Sequence, residues 1–391
     1  MRSVIASTAL VAGLLVSTAA LADMHACRTG ERAQAMPACT ELIQSKATSR
    51  SELVVALAAR ASHLLHADQS DQASADVRRA LELDPKSGRA LAVRGALAIH
   101  AGRYDLAIAD FNAALKLSPR MPMALTNRAQ AHLMLGNREQ AARDIETALT
   151  IDPTFTFAYA TRGRLNRMMG ELAVALVDLD KALAISPDDV FALMERAEAL
   201  FDKDDFALAT DDLSVVIRAS YSLERAYYLR GLSAMYLGRL DDAIADAETM
   251  VQSFPMKTNS FYLRALVLRA ARQFDAALAD FDRVIAMAPK AALAFEQRGA
   301  TYRAMGELAL AGTDVESALA LDAYRPSAVK LRGDLQMARG NLDDAAASYR
   351  AALAVNPKFG PARLGLQTVQ IARAIGQLQL PQNLRPKSSG G

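Results

Sequence analysis

The chain has 391 residues, a formal net charge of +2, two cysteines and five histidines. A net charge so close to zero argues against a protein whose whole surface binds nucleic acid. Two cysteines and five scattered histidines are also too few for an obvious metal cage.

Residues 1–22 have the pattern of a secretory signal peptide. Arg2 supplies the positive start, residues 9–16 form an apolar run, and an Ala-Leu-Ala cleavage site ends at Ala22. That run is too short for a comfortable membrane span, and no other stretch approaches the roughly 20 apolar residues that a span needs. We therefore expect cleavage after Ala22 and an exported, periplasmic or secreted protein with no integral membrane span.

Residues 23–53 form an N-terminal segment that holds both cysteines, Cys27 and Cys39. In an exported protein, an even pair of cysteines is most simply a disulfide. The alternative is a lipoprotein acylated at Cys27, but the residues before it lack the usual leucine-small-small approach. A helix is expected to begin near Ala38.

Prolines then recur at intervals of 34 residues or a multiple of 34. They are Pro85, Pro119, Pro153, Pro187, Pro255, Pro289 and Pro357. Only the slots at Tyr221 and Ala323 lack the proline, and the register passes through both without an insertion or deletion. Nine repeats therefore fill residues 54–359, and they start at Val54, Gly88, Pro122, Thr156, Val190, Glu224, Thr258, Ala292 and Pro326.

Small side chains occupy fixed positions of every repeat. The eighth position is always alanine or glycine, and the twentieth is alanine nine times, from Ala73 to Ala345. With the period and the terminal proline, these positions resemble the tetratricopeptide repeat family. The resemblance implies an all-α fold: a right-handed α-solenoid of about nine 34-residue helix-turn-helix repeats.

Each repeat reads as two helices, because apolar residues recur at three- and four-residue spacing on both sides of a polar break. Six repeats carry a glycine in that break, where a left-handed residue can end the first helix, while Asp68 and Asp204 replace it in two others. The terminal proline stops the second helix.

A second periodic pattern is charged. Position 7 is arginine in all nine repeats, and position 23 is aspartate in eight and Ser348 in the ninth. The two positions lie on opposite helices, so repeated Arg–carboxylate pairs are expected. The alternative, a ladder of arginines that binds phosphate or nucleic acid, is disfavoured because each arginine arrives with its own acid.

Beyond the repeats, residues 361–375 read as one more helix within a capping segment, 360–376, that covers the last repeat. Gly376 is expected to stop this helix, and residues 377–391, rich in Gln, Pro, Ser and Gly, are expected to be disordered.

Motifs for chemistry are absent from the sequence. It has no phosphate-binding loop, no G-x-S-x-G elbow and no H-E-x-x-H pair. His63, His66 and His100 could form at most a weak metal site, because no further ligand is evident in the sequence. A catalytic role would have to use carboxylates with no nucleophile or base beside them. These are Glu198, Asp202, Glu296 and Asp334.

The remaining candidate site is a surface. In the family that the chain resembles, first helices line an inner groove that meets a peptide or a partner's helix. Carried onto this sequence, the groove residues are Phe157, Arg164, Arg167, Phe191, Met194, Phe201, Arg225, Tyr228, Tyr236, Tyr262, Arg269 and Arg303. Aromatic residues and arginines are typical of interface hot spots. Positions 2, 5 and 9 of the first repeats lack the lysines and asparagines of the family's carboxylate clamp, so that clamp is not expected.

The cysteine-bearing lead and the exported array together are similar to periplasmic tetratricopeptide proteins of Gram-negative bacteria. We expect a non-catalytic periplasmic scaffold that needs no cofactor and binds a protein partner. The alternative is a cell-envelope assembly factor whose groove binds peptidoglycan or an exported polysaccharide.

Overall fold

The computed structural model describes residues 24–29, 32–219 and 223–379, and every regular element in these ranges is a helix. The predicted all-α class is therefore confirmed. The predicted signal peptide and residues 380–391 of the predicted tail lie outside the described residues. The chain divides into two compact units, residues 1–199 and 200–391.

The first unit begins with α1 and continues as successive helix pairs. Its helices are α1 (Arg32–Gln44), α2 (Arg50–Leu65), α3 (Ser70–Leu83), α4 (Gly88–His100), α5 (Tyr104–Leu117), α6 (Pro122–Met134), α7 (Arg138–Ile151), α8 (Thr156–Met168) and α9 (Leu172–Ile185). The next helix, α10 (Val190–Asp202), carries the division between the units after Ala199.

The second unit continues the same alternation of first and second helices. Its helices are α11 (Phe206–Arg218), α12 (Leu223–Tyr236), α13 (Leu240–Ser253), α14 (Thr258–Ala270), α15 (Phe274–Met287), α16 (Ala292–Met305), α17 (Leu308–Leu321), α18 (Pro326–Ala338), α19 (Leu342–Val355) and α20 (Gly360–Gln379). The first helices of the nine repeats are thus the even-numbered ones from α2 to α18.

The turn inside every repeat contains one residue with positive φ. Glycine holds this place six times, and Asp68 and Asp204 hold it in the two repeats where the sequence predicted a replacement. The remaining repeat uses Arg272, with φ of 61°, a left-handed residue that we did not predict. Its guanidinium lies 6.0 Å from the centre of the Phe274 ring, a cation–π distance that can offset part of the strain.

Close packing explains the small positions. All nine alanines at position 20 are fully buried. At position 8, a Cβ added to Gly163 would lie 2.6 Å from Cγ of Leu179, and one added to Gly333 would lie 2.7 Å from the Tyr349 ring. The paired helices therefore approach too closely for a larger side chain.

Predicted Arg–Asp pairs form in both units as bidentate ion pairs. In the fourth repeat, Arg162 donates from Nε and Nη2 to the two Asp178 oxygens at 2.9 and 2.7 Å. Its third donor, Nη1, reaches Glu146 of the preceding repeat at 2.7 Å. The same bidentate geometry joins Arg60 to Asp76, Arg94 to Asp110, Arg128 to Asp144, Arg230 to Asp246, Arg264 to Asp280 and Arg298 to Asp314. Where Ser348 replaces the acid, the guanidinium of Arg332 instead lies 3.9 Å from Glu316.

The N-terminal segment is more helical than expected. The Cys27–Cys39 disulfide is present and fully buried. However, α1 begins at Arg32 and not near Ala38, so Pro37 lies inside the helix. The first repeat begins four residues earlier than the period suggested, because Ser49 and Glu52 form a capping box at the start of α2.

The C-terminal helix covers the last repeat, as the sequence predicted. Ala362 and Val369 of α20 belong to the same core cluster as Tyr349 of α19. The predicted stop at Gly376 is wrong, because the helix continues to Gln379. A single glycine costs a helix only about 1 kcal/mol, and it ends the helix only when it adopts the left-handed conformation.

Candidate functional site

In the first compact unit, the predicted groove residues of α8 and α10 gather side by side. Phe157 and Phe191 pack at 5.1 Å between ring centres, and Phe155 adds an edge contact to Phe157 at 6.1 Å. The guanidinium of Arg164 lies 5.7 Å from the centre of the Phe191 ring. The result is a half-buried aromatic patch with a cation against it.

Next to this patch, two arginines of α8 meet two acids of α10. Arg164 lies 3.0 Å from the buried carboxylate of Glu195. Arg167 lies 2.5 Å from Glu198 and 3.9 Å from Glu195. The charges of this cluster are therefore balanced inside the protein.

Met194, also predicted to line the groove, is only 5% exposed. It points into the core of the first unit, where a partner cannot reach it. The position of Met194 in the repeat did not show that it is a core residue, because one first helix carries both core residues and surface residues.

In the second unit, Phe201 and Tyr236 join an aromatic cluster that includes Phe206. The rings of Phe206 and Tyr236 stack at 4.7 Å with an angle of 19° between their planes, and Phe201 packs on both of them. Tyr236 is 59% exposed, so this cluster presents a flat aromatic face to solvent. The sequence prediction missed Phe206, which lies on a second helix.

Tyr228, Tyr262 and Arg269 lie on α12 and α14 of the second unit and are half-buried. Burial raises the pKa of both tyrosines, whereas the nearby positive charges of Arg225 and Arg269 lower it. Within the part of the chain that the structure describes, neither tyrosine hydroxyl makes a hydrogen bond to another residue. Both hydroxyls therefore keep their hydrogen-bonding capacity for an external partner.

Arg269 has neutral hydrogen-bond partners. Its Nη1 donates to the side-chain oxygen of Gln297 at 2.6 Å and lies 3.4 Å from the Gln297 carbonyl. Burial lowers the pKa of Arg269, and the charge of Arg303 lowers it further, while Tyr262 and Glu296 raise it. The two other arginines predicted on this face are exposed: Arg225, and Arg303 at 3.9 Å from Asp334.

The carboxylates considered for catalysis mostly serve as ion-pair partners. Glu296 accepts from Arg325 Nε at 2.5 Å and from Ser327 at 2.8 Å. Asp334 accepts from Lys330 at 2.7 Å and from the Tyr349 hydroxyl at 2.9 Å. Glu198 is held by Arg167, as described above, and Asp202 is exposed.

The three histidines of the weak metal hypothesis contact other groups. His63 Nε2 lies 3.2 Å from the Cys27 carbonyl oxygen, and His100 Nε2 lies 3.0 Å from Asp68. Across the described ranges, no three His, Cys, Asp or Glu side chains are placed to hold a metal ion. No described helix combines the length and the apolar character that crossing a membrane requires.

A family model described as "Tetratricopeptide repeat" matches residues 58–122, 101–154, 262–328 and 330–378, together more than half of the chain. Of the residues between these matches, 155–219 and 223–261 form the same alternating helices in the structure. No curated protein sequence matches the chain.

Three solved structures illustrate the similarity of fold. A tetratricopeptide repeat protein from Parabacteroides merdae has a TM-score of 0.57 at 19% identity, with 64% of this chain and 98% of that chain covered. The APC/C hetero-tetramer Cut9-Hcn1 has a TM-score of 0.61 at 14% identity, covering 89% and 68%. The human IFIT1 dimer with m7Gppp-AAAA has a TM-score of 0.55 at 15% identity, covering 86% and 85%. At these identities the similarity is one of fold alone.

Proposed function

Because the chain belongs to the tetratricopeptide repeat family, we propose that it is a non-catalytic scaffold that binds a segment of a protein partner in an exported compartment. Repeats of this family generally serve protein–protein interaction. The binding surface that we propose is the tyrosine–arginine face, defined as Arg225, Tyr228, Tyr262, Arg269 and Arg303 of the second unit.

The chemistry of the tyrosine–arginine face carries the proposal. Tyr228 and Tyr262 are held against the hydrophobic core of the second unit by their rings, while their hydroxyls stay available. Tyrosine and arginine contribute large contact areas at a low cost in conformational entropy, which is why they dominate interface hot spots. The corresponding charged cluster of the first unit is already paired internally, and it offers less to a partner.

The exported location is supported by the signal-like pattern of residues 1–22 and by the buried Cys27–Cys39 disulfide. Disulfides form and persist in oxidising compartments and are rare in the cytosol. A fusion of residues 1–49 to alkaline phosphatase tests the location, because that enzyme becomes active only after export. An inactive fusion would show that the leader does not direct export.

Partner capture tests the binding surface. The mature chain, residues 23–391, is used as bait beside a variant with Arg225, Tyr228 and Tyr262 changed to alanine. We expect one partner to be retained by the wild type and lost from the variant, with the helical circular dichroism of the two proteins unchanged. Capture that survives in the variant would place the binding site elsewhere.

A matched control carries three alanine substitutions on second helices of the same unit, at the exposed residues Leu310, Glu316 and Arg350. This control should retain the partner. If both variants lose the partner equally, general destabilisation explains the loss and the proposed surface is wrong. Recovery of a polysaccharide in place of a protein would support the cell-envelope alternative.

A further inference from the structure

Arginine occurs at position 12 of three repeats, and its surroundings differ among them. These arginines are Arg167, Arg269 and Arg303. Each lies in the last turn of a first helix and faces the first helix of the following repeat, where positions 6 and 9 are its nearest counterparts. A comparison of these counterparts shows which arginine has an internal acid.

Two of the three arginines have a carboxylate at position 9 of the next repeat. Arg167 has Glu198 there at 2.5 Å and also has Glu195 at position 6. Arg303 has Asp334 at position 9, at 3.9 Å. Arg167 is therefore closely paired with acids of the protein itself, whereas the acid near Arg303 is more distant and is also engaged by Lys330.

Arg269 has no such acid. Position 6 of the next repeat is Gln297, and position 9 is Ala300. Within the described ranges, the direct hydrogen bonds of Arg269 go to Gln297 alone, and no carboxylate lies within ion-pair distance of it. A half-buried guanidinium whose hydrogen bonds go only to neutral oxygens has no internal counter-ion, so its positive charge can pair with an external anion.

The surroundings of Arg269 favour an anion further. The charges of Arg303 and Arg269 are close enough to repel each other, and Arg325 is close enough to act on Tyr262. The two tyrosine hydroxyls add neutral donors beside these cations. One nearby acid, Glu296, is itself engaged by Arg325 and Ser327.

We propose that the tyrosine–arginine face binds an acidic peptide segment of its partner, one of whose carboxylates pairs with Arg269 in the place left by the missing acid. This inference rests on the proposed function and specifies the chemistry of the partner. Charge complementarity selects a peptide with Asp or Glu side chains, while the tyrosine rings accept the apolar residues between them.

Ala300→Glu tests the site directly, because it restores the acid that Arg167 has at the equivalent Glu198. The new carboxylate should pair with Arg269 and occupy the place of the peptide carboxylate. Arg269→Gln removes the cation instead. Ala96→Glu is the matched control, since it adds the same charge at position 9 of the second repeat, where the preceding position 12 is Leu65.

The assay is fluorescence anisotropy with three fluorescein-labelled peptides in which leucine alternates with glutamate, glutamine or lysine. We expect the full mature chain to bind the Leu-Glu peptide, and Ala300→Glu and Arg269→Gln each to weaken binding at least about tenfold. Ala96→Glu should leave binding unchanged. Circular dichroism of each variant should match that of the wild type.

The outcomes separate the two proposals. Equal binding of the Leu-Glu and Leu-Gln peptides, with no effect of Arg269→Gln, would overturn the carboxylate site and leave the peptide-binding scaffold standing. Failure of all three peptides to bind would count against the scaffold as well. Binding of polygalacturonate without the Leu-Glu peptide would overturn the peptide partner in favour of an acidic polysaccharide.

Discussion

The bidentate pair of Arg162 and Asp178 should stabilise the fourth repeat measurably. Asp178 is 5% exposed, and its two oxygens accept from Arg162 at 2.7 and 2.9 Å. Hydrogen bonds to charged groups contribute about 1.5–3 kcal/mol each. The Arg162 side chain is 28% exposed and also reaches Glu146. When one partner of the pair is truncated, interactions with water and with Glu146 therefore replace about half of the stabilisation by these two hydrogen bonds. We expect a coupling energy of about 2 kcal/mol.

A double-mutant cycle measures this coupling with Arg162→Ala, Asp178→Ala and the double variant. Long repeat arrays do not always unfold in two states, so a single melting curve is a poor readout. Hydrogen exchange of the α8 and α9 amides gives the local opening free energy instead. The single variants should lower that energy, and the double variant should lower it by less than their sum.

The ninth repeat provides the control within the same chain. Ser348 stands in the place of the aspartate and donates to Gln336 at 2.7 Å, while the Glu316 oxygen is 3.9 Å from Arg332. A cycle on Arg332 and Ser348 should give a coupling of at most about 0.5 kcal/mol. If both cycles give the same coupling energy, the bidentate Arg–Asp pairs do not stabilise the repeats.

Three further predictions concern the repeat framework. Gly163→Ala should lower the opening free energy of the α8 and α9 amides by about 1–3 kcal/mol in hydrogen exchange, because its Cβ would lie 2.6 Å from Leu179, whereas Gly360→Ala, which has nothing within 4 Å, should leave the exchange of the α20 amides unchanged. Burial lowers the pKa of His132 below its ordinary value of 6.5. The unfolded chain therefore takes up the proton first as pH falls, so stability should decline below about pH 6.5. His132→Gln should reduce this decline in the opening free energy of the α6 amides, measured by hydrogen exchange at about pH 7.5 and 5.5. Deletion of 360–391 should expose the core around α19, and a variant with unchanged hydrogen exchange in α18 and α19 would show that α20 is not a cap.

The repeated features of the fold could be predicted because each one recurs at the same position of successive repeats. One small residue at position 8 or one aspartate at position 23 is weak evidence alone, but nine small residues and eight aspartates in phase indicate the helix pairing. Features that occur once gave no such signal. Arg272 takes the left-handed turn without being glycine, asparagine or aspartate, and Gly376 continues a helix, because local and tertiary contacts override residue preference at single positions.

The candidate surface was predicted only in part, for the same physical reason. Register placed Phe157, Tyr228 and Arg269 on first helices, but it also placed the buried Met194 there. Whether an arginine at position 12 has an acidic partner depends on residues of the next repeat. These residues stand at positions whose residue type varies from repeat to repeat, as at Gln297. Reading position 6 and position 9 after every arginine at position 12 would have revealed the difference from the sequence.

The residues that hold the helix pairs together and the residues that could bind a partner occupy different positions of the repeat. Positions 7, 8, 20 and 23 hold the helix pairs together, and substitution there costs stability. Positions 6, 9 and 12 lie between successive first helices. After Arg167, positions 6 and 9 hold the two acids Glu195 and Glu198, whereas after Arg269 they hold the neutral residues Gln297 and Ala300. Ala300 stands where the equivalent residue of another repeat is Glu198, so Arg269 has no internal acid at this position while its repeat keeps the same framework. A partner with an acidic segment can supply the carboxylate, so a single neutral residue gives one repeat a ligand that the other repeats do not bind.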